Sequence, residues 1–144
     1  MVAQFLLLGA AIAAPWVADW RLAGRGVWHF FLGGLLLASG IALCGAGVLR
    51  LGANLTPMPR PKDDSQLTTT GVYGLVRHPI YGGLILLVLG YSLVLPTVAG
   101  FVLSVVTFVF FNQKASREEK WLRERYSEYL PYSMQTRKLI PWVF

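Results

Sequence analysis

Residues 78–113 read HPIYGGLILLVLGYSLVLPTVAGFVLSVVTFVFFNQ and contain no charged side chain. A helix needs about 20 apolar residues to cross a bilayer, so this stretch is too long for one span and suits two. Pro96 marks the break between them, because proline lacks a backbone donor and fits the first turn of a new helix. The stretch therefore predicts a helical hairpin over residues 80–112, with helices from Ile80 to about Val94 and from Thr97 to about Asn112.

Two further charge-free blocks precede the hairpin, from Met1 to Ala18 and from Gly26 to Leu49, and each is about one span long. Only 14% of the 144 residues are charged, 55% are apolar and the mean hydropathy is +0.53. A soluble domain of this size carries roughly a quarter charged residues. We therefore predict an all-α integral membrane protein with four transmembrane helices, the last two forming the hairpin. The first block also fits a secretory signal peptide, but it lacks the basic n-region that such peptides carry.

The chain is predicted to be a single domain in which two N-terminal spans (1–49), a polar loop (50–79), the hairpin (80–112) and a polar C-terminal segment (113–144) follow one another. Of the 13 Lys and Arg residues, only Arg21 and Arg25 lie between the first two spans; all the others lie on the opposite side. This positive-inside bias predicts a multi-pass protein with both termini in the cytoplasm. The net charge of +6 then reflects topology and contact with anionic membrane lipids, and no nucleic-acid partner is predicted.

The C-terminal polar segment predicts a cytoplasmic amphipathic helix, because its apolar residues recur at helical spacing up to Tyr129, before Pro131 ends the pattern. Glu118 lies on the apolar face and is expected to point inward. Glu119 stands four residues before Arg123, which predicts an ordinary exposed ion pair. An alternative is a helix that lies on the membrane surface with both glutamates solvated.

The densest polar cluster lies where the loop meets the hairpin, in residues 73–83 (YGLVRHPIYGG). Pro79 at a helix start leaves free backbone N–H groups at the interface, a suitable place for an anionic group. Arg77, His78 and Tyr81 add a charge and two hydrogen-bonding side chains at the same end. The two glycines that follow leave room for a flat ligand or for another backbone. An alternative is that the three polar side chains only anchor the helix at the head-group level.

Some kinds of site are excluded by composition. Cys44 is the only cysteine, so there is no disulfide framework, and one Cys with two His residues makes a structural zinc site implausible. No metal site is predicted. The sequence also shows no Ser-His-Asp or Cys-His set for nucleophilic catalysis.

Several motifs occur in order along the second half of the chain. They are LTTTGVY at 67–73, RHPIY at 77–81, Glu118-Glu119, Tyr129 with Tyr132, and LIP at 139–141. As a set, these motifs resemble the isoprenylcysteine carboxyl methyltransferase family, which shares its membrane fold and cofactor with the phosphatidylethanolamine N-methyltransferases. The match covers about residues 54–144, whereas the first two helices match only as generic spans.

The resemblance implies S-adenosylmethionine as methyl donor, held at the cytoplasmic face between the third helix, the loop before it and the C-terminal helix. Carried over by position, the cofactor-binding residues would be Gln66, Leu67, Thr68, Tyr73, His78, Pro79, Ile80, Tyr81, Glu118 and Glu119. The substrate-binding residues would be Lys114 and Arg117. Relatives usually carry Arg at the position of Lys114, so a forked contact to a carboxylate is replaced here by a point charge.

The implied reaction is methyl transfer to a lipophilic acceptor, a carboxylate of the isoprenylcysteine type. A carboxylate is already ionised near neutral pH, so the reaction needs no base. A phospholipid amine is the alternative acceptor, and Glu118 or Glu119 would then be the candidate base. Two other functions stay open. One is an NADPH-dependent membrane reductase, since sterol reductases resemble the same C-terminal half. The other is a non-enzymatic assembly subunit that uses the glycines of the second span for helix packing.

Overall fold

The computed structural model describes residues 2–17, 26–52 and 67–144, and its regular structure is helical. The helices of the described residues are α1 (Val2–Val17), α2 (Val27–Leu51), a short 3₁₀ helix (Gly71–Gly74), α3 (Pro79–Val94), α4 (Val98–Arg125) and α5 (Tyr129–Gln135). The all-α prediction is therefore confirmed for this part of the chain.

The hairpin formed by α3 and α4 turns where the proline predicted it. α3 begins at Pro79, with His78 as its N-cap, and ends at Val94. The residue before a proline is pushed out of the helical region, which explains why α3 stops ahead of Pro96. The Thr97 side chain then caps α4 by accepting a hydrogen bond from the backbone N–H of Gly100, at 3.0 Å.

The predicted division between a membrane helix ending near Asn112 and a separate amphipathic helix is wrong. α4 is one helix of 28 residues that continues without a break to Arg125. The segment after Asn112 is rich in Gln, Lys, Arg, Glu and Ala, which are strong helix formers, so the helix propagates beyond its apolar part. Pro131 does not end the structure either. It lies in the first turn of α5, where a proline is tolerated.

α2 and α3 pack with their backbones in contact. Gly33, Gly40 and Gly47 recur every seventh residue and are the buried residues of α2. A Cβ added at Gly40 would lie 2.8 Å from the carbonyl oxygen of Gly83, and one at Gly33 would lie 2.9 Å from that of Gly90. The pairs succeed one another in opposite directions along the two helices, so the helices are antiparallel. Small residues of this kind let membrane helices approach closely.

Polar contacts join the remaining helices. The buried hydroxyls of Ser92 on α3 and Ser104 on α4 lie 3.0 Å apart. α1 is tied to α3 through Tyr91, which receives a hydrogen bond from Trp16 Nε1 at 3.2 Å and donates one to the Ile12 carbonyl at 3.2 Å. Hydrogen bonds between helices are typical of membrane bundles, where few other polar partners exist.

The outward faces of α1, α2 and α4 are apolar. Trp16 is 74% exposed, Phe31 77% and Val105 64%. α2 and α4 are each long and apolar enough to cross a membrane, whereas α1 and α3 are apolar but only 16 residues long. An apolar surface of this extent needs lipid or another apolar partner to cover it, and it indicates a membrane protein.

Candidate functional site

The N-terminus of α3 is held by the C-terminal tail of the chain. Residues 75–78 pair in parallel with residues 137–138: the Arg77 N–H donates to the Arg137 carbonyl at 2.8 Å, and the His78 N–H donates to the Lys138 carbonyl at 3.0 Å. The Arg137 N–H returns a hydrogen bond to the Leu75 carbonyl at 3.1 Å. These hydrogen bonds fix the position of the backbone at His78, where α3 begins.

The tail then crosses α3 at a glycine. A Cβ at Gly82 would collide with the carbonyl oxygen of Leu139. Leu139 is fully buried and packs with Ile85, Phe111 and Ala115. The two glycines after Tyr81 therefore make room for another backbone and not for a flat ligand. Gly82 accommodates the C-terminal tail, and Gly83 accommodates α2.

Arg77 links the tail to α4. Its Nε donates to Glu119 Oε1 at 2.8 Å, and its Nη1 donates to the backbone carbonyls of Ser133, at 2.8 Å, and of Thr136. The side chains of Arg77 and Glu119 are only 12% and 9% exposed. Charge-assisted bonds in such a setting are stronger than neutral ones, so Arg77 is a structural element of this site rather than a head-group anchor.

The prediction that Glu119 and Arg123 form an ordinary exposed pair is wrong about the exposure of Glu119 and about its main partner; the pair itself is present, at 4.0 Å. Glu119 is buried, and its Oε1 lies 2.8 Å from Arg77 Nε and 3.2 Å from His78 Nε2. Arg123 remains 4.0 Å from Oε2 and is half exposed. The i,i+4 rule considers only one helix, and here the side chain turns toward the start of α3 instead.

Glu118 points inward, as expected, and meets an aromatic stack. The Tyr81 hydroxyl donates to Glu118 Oε2 at 3.0 Å, and His78 Nδ1 lies 3.8 Å from the same oxygen. The Tyr81 ring stacks against the His78 ring, with centroids 5.5 Å apart, and against the Phe111 ring at 5.2 Å. The Glu118 side chain is 25% exposed. Unlike Glu119, it keeps surface available to a ligand.

Lys114 lies one turn before Glu118 on α4. Its Nζ is 5.0 Å from the centroid of the Tyr81 ring and donates a hydrogen bond to Gln4 Oε1 on α1. Arg117, the other predicted substrate contact, is exposed on α4 and forms no ion pair or hydrogen bond with the cluster in the described part of the chain. Thus, of the two basic side chains, only that of Lys114 lies over the Tyr81 ring, whereas that of Arg117 is exposed.

The remaining predicted residues have different positions. Tyr73 is buried in the 3₁₀ helix, and its carbonyl accepts a hydrogen bond from the Tyr132 hydroxyl at 2.6 Å. Ile80 packs against Gly47 and so faces α2. Leu67 and Thr68 are half-buried at the start of the last described range, and Gln66 lies outside the described residues.

Burial shifts the ionisation of the groups in the loop and tail. It raises the pKa of Tyr73 and of Tyr129 well above the usual tyrosine range, and it raises the pKa of Tyr132 to about 12. These hydroxyls therefore stay protonated near neutral pH. Burial also lowers the pKa of Lys138.

Sequence reasoning missed three contributions to this region. Lys138 Nζ donates to the Asn112 side chain and to Ser116 Oγ, at 2.5 and 2.7 Å, which fastens the tail to α4. Tyr132 holds the 3₁₀ helix, as described above. Gln4 reaches Lys114 from the first helix; its signal was a lone amide in an otherwise apolar segment. Within residues 2–17, 26–52 and 67–144, no group of three His, Cys, Asp or Glu residues could hold a metal ion.

Comparison with known proteins gives three findings. A family model described as phospholipid methyltransferase matches residues 28–129. Protein-S-isoprenylcysteine O-methyltransferase B of Arabidopsis thaliana is 25% identical over 126 residues, covering 86% of this chain and 61% of the relative. A probable protein-S-isoprenylcysteine O-methyltransferase of Oryza sativa subsp. indica is 32% identical over 87 residues, covering 57% and 44%.

A solved structure has a similar fold. It is the eukaryotic intramembrane Ras methyltransferase isoprenylcysteine carboxyl methyltransferase, with a TM-score of 0.71 and 26% sequence identity. The match covers 81% of this chain and 43% of that chain. This chain therefore spans less than two thirds of the length of the proteins that it resembles.

Proposed function

Because the chain belongs to the phospholipid methyltransferase family, we propose that it is an integral membrane methyltransferase that uses S-adenosylmethionine to methylate a carboxylate of the isoprenylcysteine type. When bound, S-adenosylmethionine would supply a methyl group on a sulfonium, whose carbon–sulfur bond would break as the carbon–oxygen bond to the acceptor formed, with the sulfur keeping the electron pair. No proton moves, so the chain's task is to bind, orient and exclude water. The names of the relatives support a carboxylate acceptor.

The observation that carries this proposal is the meeting of Glu118, Tyr81 and His78 at the start of α3. These groups fit the donor chemically. A partly exposed carboxylate suits the donor's ammonium and ribose hydroxyls, and aromatic faces suit its cationic sulfonium. The first turn of α3 leaves backbone N–H groups without acceptors in the helix, which suits the donor's carboxylate. Tyr73 lies close enough to Glu118 to feel its charge and would border the donor, and Leu67 and Thr68, which precede it in the chain, would complete the binding surface.

The two glutamates are proposed to differ in role. Glu118 has exposed surface and would contact the donor. Glu119 is buried and already engaged by Arg77 and His78, so it would act as a positioning residue that orients the His78 ring. This distinction refines the prediction that both glutamates bind the cofactor.

We further propose that all four long helices cross the bilayer with both termini in the cytoplasm. α1 and α3 rise about 24 Å, slightly less than the roughly 30 Å hydrocarbon core, but they pack against helices that are long enough to span it. Among the described residues, basic side chains such as Arg50, Arg77 and Lys138 lie at the end of the bundle that carries the site, as the positive-inside rule requires of a cytoplasmic face. Reporter fusions at either terminus that respond only from the outside would contradict this topology.

Calorimetric titration of the detergent-purified protein with S-adenosylhomocysteine tests the cofactor assignment. The parent is expected to bind, and Glu118→Gln and His78→Ala are each expected to weaken binding about tenfold or more, because each removes a hydrogen bond to a charged or polar group. Glu124→Gln is the matched control, since Glu124 is exposed on the same helix. Absence of binding by the parent would refute a methyltransferase. Displacement of S-adenosylhomocysteine by NADPH would favour the reductase instead.

A labelled-methyl assay tests the acceptor. N-acetyl-S-farnesylcysteine and phosphatidylethanolamine, each in detergent micelles, are compared as acceptors with S-adenosylmethionine. Transfer to the farnesylcysteine alone supports the proposal. Transfer only to the phospholipid amine, which the name of the matching family model favours, would replace the acceptor class while leaving the enzyme class intact.

A further inference from the structure

Lys114 is a cation whose direct partners are neutral. Its Nζ donates to the Gln4 amide oxygen and lies over the Tyr81 ring. The ion pairs of the described residues involve Arg77, His78 and Arg123, and none involves Lys114. The side chain is half-buried among the apolar helices α1, α3 and α4. The nearest opposite charge is Glu118, one turn further along α4, which acts on Lys114 through space without a direct ion pair. The proposed function assigns Glu118 to the methyl donor, and a half-buried charge is costly without a partner, so Lys114 is left to favour an anionic ligand.

Gln4 is a second, independent observation. In α1, with the sequence VAQFLLLGAAIAAPWV, it is the one amide side chain, and its oxygen accepts the hydrogen bond from Lys114 Nζ. An amide has an acceptor oxygen and a donor NH₂ group. Since Lys114 uses the oxygen, the group left for a ligand is the donor. An ammonium and an amide NH₂ are thereby brought together at one point of the bundle.

We propose that Gln4 and Lys114 form a two-donor site that binds the carboxylate of the methyl acceptor. This inference rests on the proposed function and deepens it by naming a residue that determines acceptor specificity. Two donors on one carboxylate restore the forked contact that a single ammonium lacks. Phe5 and Leu6, next to Gln4, are 62% and 68% exposed and offer apolar surface along which the acceptor's hydrocarbon chain can lie.

The test measures the binding of S-farnesylthiopropionate and of its uncharged carboxamide to the detergent-purified protein with S-adenosylhomocysteine present. The parent is expected to prefer the carboxylate. Gln4→Leu is expected to weaken carboxylate binding about tenfold, the effect of losing one hydrogen bond to a charged group, and to leave the carboxamide unchanged. Lys114→Met is expected to abolish the preference. Gln113→Leu is the matched control, because Gln113 is exposed on α4.

A double variant separates a donor role from a packing role. In Gln4→Leu combined with Lys114→Arg, the guanidinium brings two donors of its own, so most of the carboxylate affinity is expected to return. Continued loss in the double variant would overturn the two-donor site. Titration with S-adenosylhomocysteine alone reports whether each variant is folded.

The outcomes separate this inference from the function on which it rests. If the parent binds S-adenosylhomocysteine but takes the carboxylate and the carboxamide equally well, the two-donor site is refuted and the proposed function stands. If Gln4→Leu weakens S-adenosylhomocysteine instead, the carboxylate bound there is that of the donor, and the inference is again overturned. If the parent does not bind S-adenosylhomocysteine at all, the proposed function itself fails.

Discussion

The α2–α3 interface and the site at the start of α3 are stabilised in opposite ways. Between α2 and α3, three glycines bring the backbones into contact, and the side-chain hydrogen bond across the interface in the described residues is the one from Cys44 Sγ to the Ile80 carbonyl, at 3.3 Å. At the site, Arg77 alone bonds one carboxylate and two carbonyls. The α2–α3 interface depends on glycines, which have no side chain, whereas the site depends on charged side chains.

The two regions meet on consecutive residues of α3. Gly83 faces α2, whereas Gly82 faces the carbonyl of Leu139 in the tail. A helix that is packed on one side by backbone and on the other by a charged tail cannot shift toward either without a clash. This arrangement explains how a site at a helix end, where helices usually fray, can have fixed geometry.

Gly82→Ala is expected to have the largest effect on stability. The new methyl group would overlap a backbone carbonyl that cannot rotate away, so the tail must lift and Leu139 must leave the core. We expect a loss of about 4 kcal/mol, above the roughly 1–3 kcal/mol usual for overpacking because the clash is with backbone, measured as a lower thermal midpoint in detergent. Gly45→Ala is the control, because a Cβ there meets nothing within 4 Å. Equal midpoints for the two variants would contradict this account of the tail.

Arg77→Ala tests the charged region. Removing one partner of a buried ion pair leaves Glu119 buried without its main cation, and such losses cost about 3 kcal/mol or more. Arg123→Ala is the matched control: Arg123 is half exposed and 4.0 Å from the same carboxylate, so its loss should cost less than about 0.5 kcal/mol. Thermal unfolding followed by circular dichroism separates the two. A larger loss of stability in Arg123→Ala than in Arg77→Ala would mean that Arg123 is the main partner of Glu119, as the sequence predicted.

Gly40→Ala and Gly34→Ala test the glycine interface. A Cβ at Gly40 would lie 2.8 Å from the Gly83 carbonyl oxygen, so we expect a cost of about 2 kcal/mol. A Cβ at Gly34 meets nothing within 4 Å, and alanine favours a helix over glycine by about 1 kcal/mol. Gly34→Ala should therefore be neutral or stabilising in the same thermal assay. If Gly34→Ala lowered the thermal midpoint as much as Gly40→Ala, the outward face of α2 would be packed against a partner, as the non-enzymatic assembly alternative requires.

Helices and motifs that depend on one continuous stretch of sequence could be predicted. Side-chain contacts between residues far apart in the sequence could not. The hairpin followed from a charge-free block and one proline, and the family resemblance followed from ordered motifs; the comparisons confirm the family. Glu119 was misjudged because its partner Arg77 is 42 residues away, while Arg123 is one turn away. The Gln4 contact to Lys114 spans 110 residues, so no local rule points to it.

The smallest expected effects on stability come from two tyrosines in α5. Their comparison shows whether a buried hydroxyl near Arg77 and Glu119 stabilises the fold only when it has a hydrogen-bond partner. The Tyr132 hydroxyl donates to the Tyr73 carbonyl at 2.6 Å, whereas the Tyr129 hydroxyl is buried and has no hydrogen-bond partner among the described residues. Tyr132→Phe should cost about 1 kcal/mol, the net value of one hydrogen bond. Tyr129→Phe should be neutral or slightly stabilising in the ligand-free protein, since it removes a polar group that is buried without compensation. Thermal unfolding of both variants measures the difference. If Tyr129→Phe lost as much stability as Tyr132→Phe, the Tyr129 hydroxyl would have a hydrogen-bond partner after all. Weaker binding of S-adenosylhomocysteine by Tyr129→Phe would then identify that partner as the ligand.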